Sequence, residues 1–230
     1  MKLDRRLTIG QTEYHVIEER VLLVLNDAGT AQFLIDGKGD TINEGSAVAF
    51  DIGYASHETM SQLFLGYVEQ SVKVDSRRVR LFCREWAHVL KARLPLSLRH
   101  PTLKDVLTAM HAATGLNFAL PEQKYSTTKV PHFDNVGNGY QAIRTLGRVF
   151  KIDDVIWQQQ GQGVIYVGSW ADSRWPDRAV TFPESLFKAH LSSKSAEIAA
   201  IESLRPGVLM NNRRLTRVEF SGSTMIITWA

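Results

Sequence analysis

Five short apolar runs, each closed by a turn-forming cluster, occupy the first 85 residues and limit that part of the chain to a small antiparallel β architecture. Residues 21–25 (Val-Leu-Leu-Val-Leu) stop at Asn26-Asp27-Ala28-Gly29, and residues 31–35 stop at Asp36-Gly37-Lys38-Gly39-Asp40. Runs at 47–53, 63–69 and 78–84 follow. They are too short for helices and are spaced as strands that turn back on themselves, which makes a barrel or sandwich the expected solution. In the last run Val79, Leu81 and Cys83 alternate with Arg78, Arg80 and Arg84, the pattern of a half-buried strand with a basic outer face.

The period changes after residue 100. Thr102 and Asp105 have the spacing of a capping box, and Leu103, Val106, Leu107 and Met110 follow at helical intervals up to Gly115, a natural left-handed cap. A strand is expected at 116–120, ended by Pro121. A second helix is expected at 139–150 behind Asn138, then a hairpin at 155–160 and 164–168 turning through Gly161-Gln162-Gly163. Residues 169–177 look like a linker. The stretch 195–204 is open between a short helix, with Ile198, Ile201 and Leu204 on one face, and an extended connector. A hairpin at 217–220 and 225–229 closes the chain. The expectation is an α+β protein, with β-barrel-like N- and C-terminal parts flanking a small α+β domain. It divides into 1–95, 96–175 and 176–230, the last segment completing a barrel or sheet.

Charge is uneven. The net is +3 over 230 residues, yet 77–100 carries seven basic residues against Glu85 alone, leaving the remainder at −3. One cysteine, Cys83, excludes an intrachain disulfide and a cysteine-built zinc site. No apolar run approaches a membrane span, and the charged start, Met1 to Arg6, has no apolar stretch behind it, so synthesis and folding in the cytoplasm, without stable membrane insertion, are expected. Chemistry is sparse. The nearest approach to a metal cluster is His132 with Asp134, joined at most by Asp153 and Asp154, and this reads as a solvated loop. The Gly-x-Gly pairs at 37, 137 and 161 lack the rest of a phosphate-binding motif and read as turns. Cys83 falls on the inward side of its strand, and no Gly-x-Ser-x-Gly occurs. No catalytic, metal or cofactor residue is assigned, and no enzyme is expected. Trp157, Trp170, Trp175 and Trp229 read as packing rather than ligand stacking.

The order of segments resembles the late control protein D group, which includes the hubs of phage tail baseplates and the base of type VI secretion spikes. The resemblance rests on Gly45 to Tyr54, on Leu63 to Glu69 with Phe64-Leu65-Gly66-Tyr67-Val68 inside it, on the basic strand from Arg77 to Arg84, and on Thr102-Leu103-Lys104-Asp105-Val106-Leu107 with Gly115-Leu116. Trp157 to Gly161 and Arg205-Pro206-Gly207 look like later segments of such proteins. It implies a virion tail component that forms a homo-oligomer, a trimer. Its partners would be the tail tube or distal tail protein, the tail tip or spike proteins and the tape-measure protein, with DNA only in transit through the channel. Arg78, Arg80 and Arg84 are then candidates for the subunit or tube interface. A second resemblance, carried by residues 102–168, is to the small ring-building and signalling domains of secretins and TonB-dependent receptors, and a nucleic-acid-binding strand remains a third reading.

Overall fold

The structure, a computed structural model, describes residues 3–37, 39, 41–56, 59–183, 185 and 187–230. Met1 and Lys2 of the charged start, and Lys38 and Asp40 of the second expected turn, lie outside the described residues. The chain is α+β and divides into two compact units, residues 1–86 with 179–230, and residues 87–178.

In the first unit, six antiparallel strands pair in a closed cycle: β1 (Leu3–Ile9), β4 (Ala47–Tyr54), β5 (Ser61–Lys73), β6 (Arg78–Glu85), β3 (Thr30–Asp36), β2 (Thr12–Val24) and back to β1. Closure requires strands that bend, and the register slips at Val16/Glu18, Phe50/Asp51 and Val68/Gln70 supply bends in β2, the β4–β5 pair and the β5–β6 pair. Alternation then sends Phe33, Ile35, Val48, Phe50, Val79, Leu81 and Cys83 into the interior, all buried. Phe33 packs at 5.0 Å on Phe50 and 6.4 Å on Phe64. Each such ring contributes roughly 1.5–3 kcal/mol by leaving water.

β2 is long enough to serve two partners besides β3. Its first residues pair with β1, whereas Val21 to Val24 pair with β15 (Arg213–Ser221). From there the same sheet continues through β16 (Thr224–Trp229) and β13 (Ser195–Ala199) to β12 (Phe187–Ser192), with β14 (Leu209–Met210) beside the start of β15. Phe220 on β15 reaches Phe50 at 5.9 Å, so the C-terminal strands share the aromatic core of the barrel. The stretch left open at 195–204 is strand over Ser195–Ala199 and irregular beyond it.

The second unit contains β7 (Leu96–Arg99), α1 (Leu103–Thr114), β8 (Phe118–Ala119), α2 (Lys124–Thr127), β9 (His132–Asn135), α3 (Gly139–Val149), β10 (Val155–Gln159) and β11 (Ile165–Ser169). β10, β11 and β8 form one sheet, and β7 pairs with β9. Both long helices start at complete capping boxes, Thr102 with Asp105 and Asn138 with Gln141, and Gly115 closes α1 in the left-handed region at φ 73°. Leu103, Val106, Leu107 and Met110 of α1, and Ile143 and Leu146 of α3, are buried as their spacing requires. Trp157, Trp175 and Trp229 are buried too. No helix among the described residues is long and apolar enough to cross a membrane.

Candidate functional site

β6 lies between β3 and β5 in the barrel wall and turns Arg78, Arg80, Phe82 and Arg84 away from the core. The three arginines come together on one outer face, and each meets a carboxylate of the same chain. Arg78 Nε is 2.5 Å from Asp75 Oδ2 in the turn leading into the strand, Arg84 Nε is 2.7 Å from Glu69 Oε2 on β5, and Arg80 is 3.8 Å from Glu18 Oε2 on β2. Arg77 adds a contact of 2.5 Å to Asp36. Backbone N–H groups of Arg77 and Arg78, followed by the Arg78 side chain, hold the Asp75 carboxyl down at about 2. The outer face is therefore laced with opposite charges, and its partly exposed pairs set orientation more than they add stability. A shallow cleft of about 490 Å³ opens beside them, between His15, Ile17, Asp36 and residues 75–78.

Beneath this face, the sequence element Phe64-Leu65-Gly66-Tyr67-Val68 has a steric reason. Gly66 stands opposite Glu85, so close that a β-carbon there would lie 1.9 Å from the Arg84 carbonyl oxygen. Only glycine lets β5 and β6 approach at this point.

The residues that sequence reasoning passed over are Glu85 and Arg205. Glu85, the only acidic residue of the basic stretch, is fully buried, and its Oε2 accepts a 2.7 Å hydrogen bond from the Gly29 backbone N–H. Arg205 Nη1 approaches Glu85 Oε1 at 4.0 Å, and Nη2 donates to the carbonyls of Gln62 and Leu63, both at 2.9 Å. One buried pair thus ties the 200–208 connector, β5, the end of β6 and the turn before β3 together. Burial pushes the Glu85 carboxyl up to about 7 against the pull of Arg205, and burial lowers the guanidinium pKa as well. Arg205-Pro206-Gly207, already singled out by resemblance, was the signal that could have found it.

The rest of the titratable inventory stays dispersed. Cys83 is buried, and desolvation pushes its thiol up to about 12, which leaves it unreactive. His132 Nε2 and Asp134 Oδ2 meet at 2.6 Å on β9, but no group of three or more metal-ligating side chains forms among the described residues, so Asp153 and Asp154 do not complete a cluster.

No family model matches the sequence. An uncharacterized 58.7 kDa protein of Haemophilus phage HP1 is 30% identical over 228 residues, covering 99% of this chain; the chain spans 42% of that relative's length. Among solved structures, the chain superposes on the 43 kDa tail protein of prophage MuSo2 from Shewanella oneidensis with a TM-score of 0.72 at 11% identity, over 100% of this chain and 98% of that one. The tail protein from Neisseria meningitidis MC58 gives 0.68 at 10% identity, over 100% and 96%. The E. coli c3393 protein, a type VI secretion component with structural similarity to the T4 tail proteins gp27 and gp5, gives 0.66 at 12% identity, over 97% and 76%. The fold is the one these phage tail and type VI spike-related proteins share.

Proposed function

We propose that this chain is a non-enzymatic structural component of a phage tail, a hub ring protein at the baseplate that links the tail tube to the tail tip and lines part of the channel for genome delivery. The observation that carries the reading is the extent of the fold match. It runs through barrel, α+β unit and C-terminal strands alike, and takes in nearly the whole of a prophage tail protein. A phage relative at 30% identity supports it from the sequence side. The working form is a homotrimer in the virion tail, with tube, spike and tape-measure proteins as neighbours and DNA passing through. The outer face of β6 is its subunit or tube contact. Because Arg78, Arg80 and Arg84 already balance Asp75, Glu18 and Glu69, they suit a charge-ordered protein contact better than a bare phosphate-binding strip.

The test is solution mass by light scattering across a concentration series, followed by electron microscopy. Three copies in a ring with an open centre are expected. A single-chain mass at every concentration, together with failure to co-purify with tail proteins from phage-producing cells, overturns the reading. Replacing Arg78, Arg80 and Arg84 by Gln is expected to weaken self-association at least tenfold. The pairs lost are exposed and add little to folding stability, so the chain stays folded. Glutamate at these positions would repel the three carboxylates and confuse assembly with folding.

A further inference from the structure

The large sheet ends at β12, which pairs with β13 alone among the described residues. At the far side of the C-terminal strands β14 pairs with β15 and bridges Val180. The backbone ladder does not close between them, and a cleft of about 220 Å³ opens there, floored by Phe187, Leu215, Ile227 and Trp229. Its wall is fixed. The Asn211 side chain accepts from the Phe182 N–H at 2.7 Å and donates to the Phe182 carbonyl at 2.8 Å, and Phe182 meets Phe187 edge-on at 5.2 Å. The polar positions are cationic or neutral. The Arg213 guanidinium lies 4.9 Å over the Trp229 ring, and His190 stacks on Phe187 at 5.3 Å. No carboxylate lines the cleft among the described residues. The face of β6 differs in that every arginine there has a carboxylate beside it.

An apolar floor with a guanidinium parked on an aromatic ring fits an apolar side chain next to a negative charge: the side chain leaves water, and the anion gains a charge-assisted hydrogen bond that the ring cannot give. β12 is bulged at Phe187/Ala189 and His190/Ser192, which works against continuous strand addition along its edge and leaves recognition to the cleft. We propose that this cleft docks a short segment of another polypeptide in which an apolar side chain is flanked by carboxylates. The proposal stands apart from ring formation, since the cleft belongs to one chain.

The experiment titrates the full chain with the peptide acetyl-Glu-Phe-Asp-Leu-Glu-amide and with its reversed counterpart acetyl-Lys-Phe-Lys-Leu-Lys-amide, followed by amide and indole N–H nuclear magnetic resonance. Trp229→Phe identifies the Trp229 indole signal. The acidic peptide is expected to move that signal and the His190 amide, and to bind at least tenfold more tightly than the basic one. Arg213→Glu is expected to invert the preference. Arg213→Gln, which adds no charge, should weaken the acidic peptide about fivefold or more and serves if the first variant does not fold. No movement at Trp229 up to millimolar peptide, movement confined to other surfaces, or equal affinity for the two peptides overturns the proposal.

Discussion

A β-carbon on Gly66 would collide with backbone, not with the yielding end of a side chain, so Gly66→Ala must pry β5 from β6 at this point of the barrel wall. The expected cost is about 3 kcal/mol or more, read as a fall in the denaturant midpoint. Gly10→Ala is the control. Its φ is +61°, but no atom lies within 4 Å of the added carbon, so it should cost only about 1 kcal/mol. Glu85 gives a prediction in pH. Its carboxyl sits near 7 in the folded chain, above the ordinary 4.5, so between those values the unfolded chain has given up a proton that the folded chain keeps. Stability is therefore full below about pH 4.5, falls as pH rises through 7 by roughly 3 kcal/mol, and is level above. Glu85→Gln should remove that slope in melts across pH 4–8; a wild-type slope of the opposite sign would contradict the assignment. The sequence showed Glu85 only as an odd acid in a basic run and Gly66 only as part of a motif. Their partners, Arg205 and Arg84, are 120 residues and 18 residues away, and nothing local encodes either approach.

Elements were legible where their signals are local. Caps, turns and periodicity in 102–115, 138–150 and 155–169 lie within a few residues of what they control, and each element formed near its expected place. Thr102→Ala is accordingly expected to cost about 1 kcal/mol, with an unchanged dependence on denaturant, since the Asp105 N–H loses its acceptor and no buried surface changes. Stretch 195–204 shows the opposite case. Ala196 and Ile198 satisfy a strand, while Ile198, Ile201 and Leu204 satisfy a helix, and pairing of Ser195 to Ala199 with β16 decides between them. β7 and β9 escaped notice for a related reason. Each has four residues, and their partners lie some 36 residues apart in the chain.

At the scale of the molecule, the sequence carried the class, barrel-like strands and an α+β unit, but not the strand pairing that closes the barrel. Pairing β1 with both β2 and β4, and giving β2 a third partner in β15 almost two hundred residues on, are decisions made by a core of phenylalanines that no local pattern announces. The second unit has a different character. Residues 87–178 possess their own buried set, including Leu90, Leu103, Met110, Phe133, Ile143, Leu146, Ile156 and Trp157, and their own polar ties. Asn135 donates to the Leu94 carbonyl at 2.6 Å, and the Gln159 side chain accepts from the Ala87 N–H at 2.9 Å, so the first residue of the unit is anchored within it. A segment with its own apolar core and its own buried hydrogen bonds meets the physical requirement for folding alone. Residues 87–178 expressed by themselves are expected to give a dispersed amide spectrum and a single cooperative melt, with Leu103→Ala lowering the midpoint through a loss of about 2–5 kcal/mol of stability, as a buried leucine should. A collapsed spectrum without a cooperative transition would mean that the unit borrows its stability from the barrel strands on either side of it in the sequence.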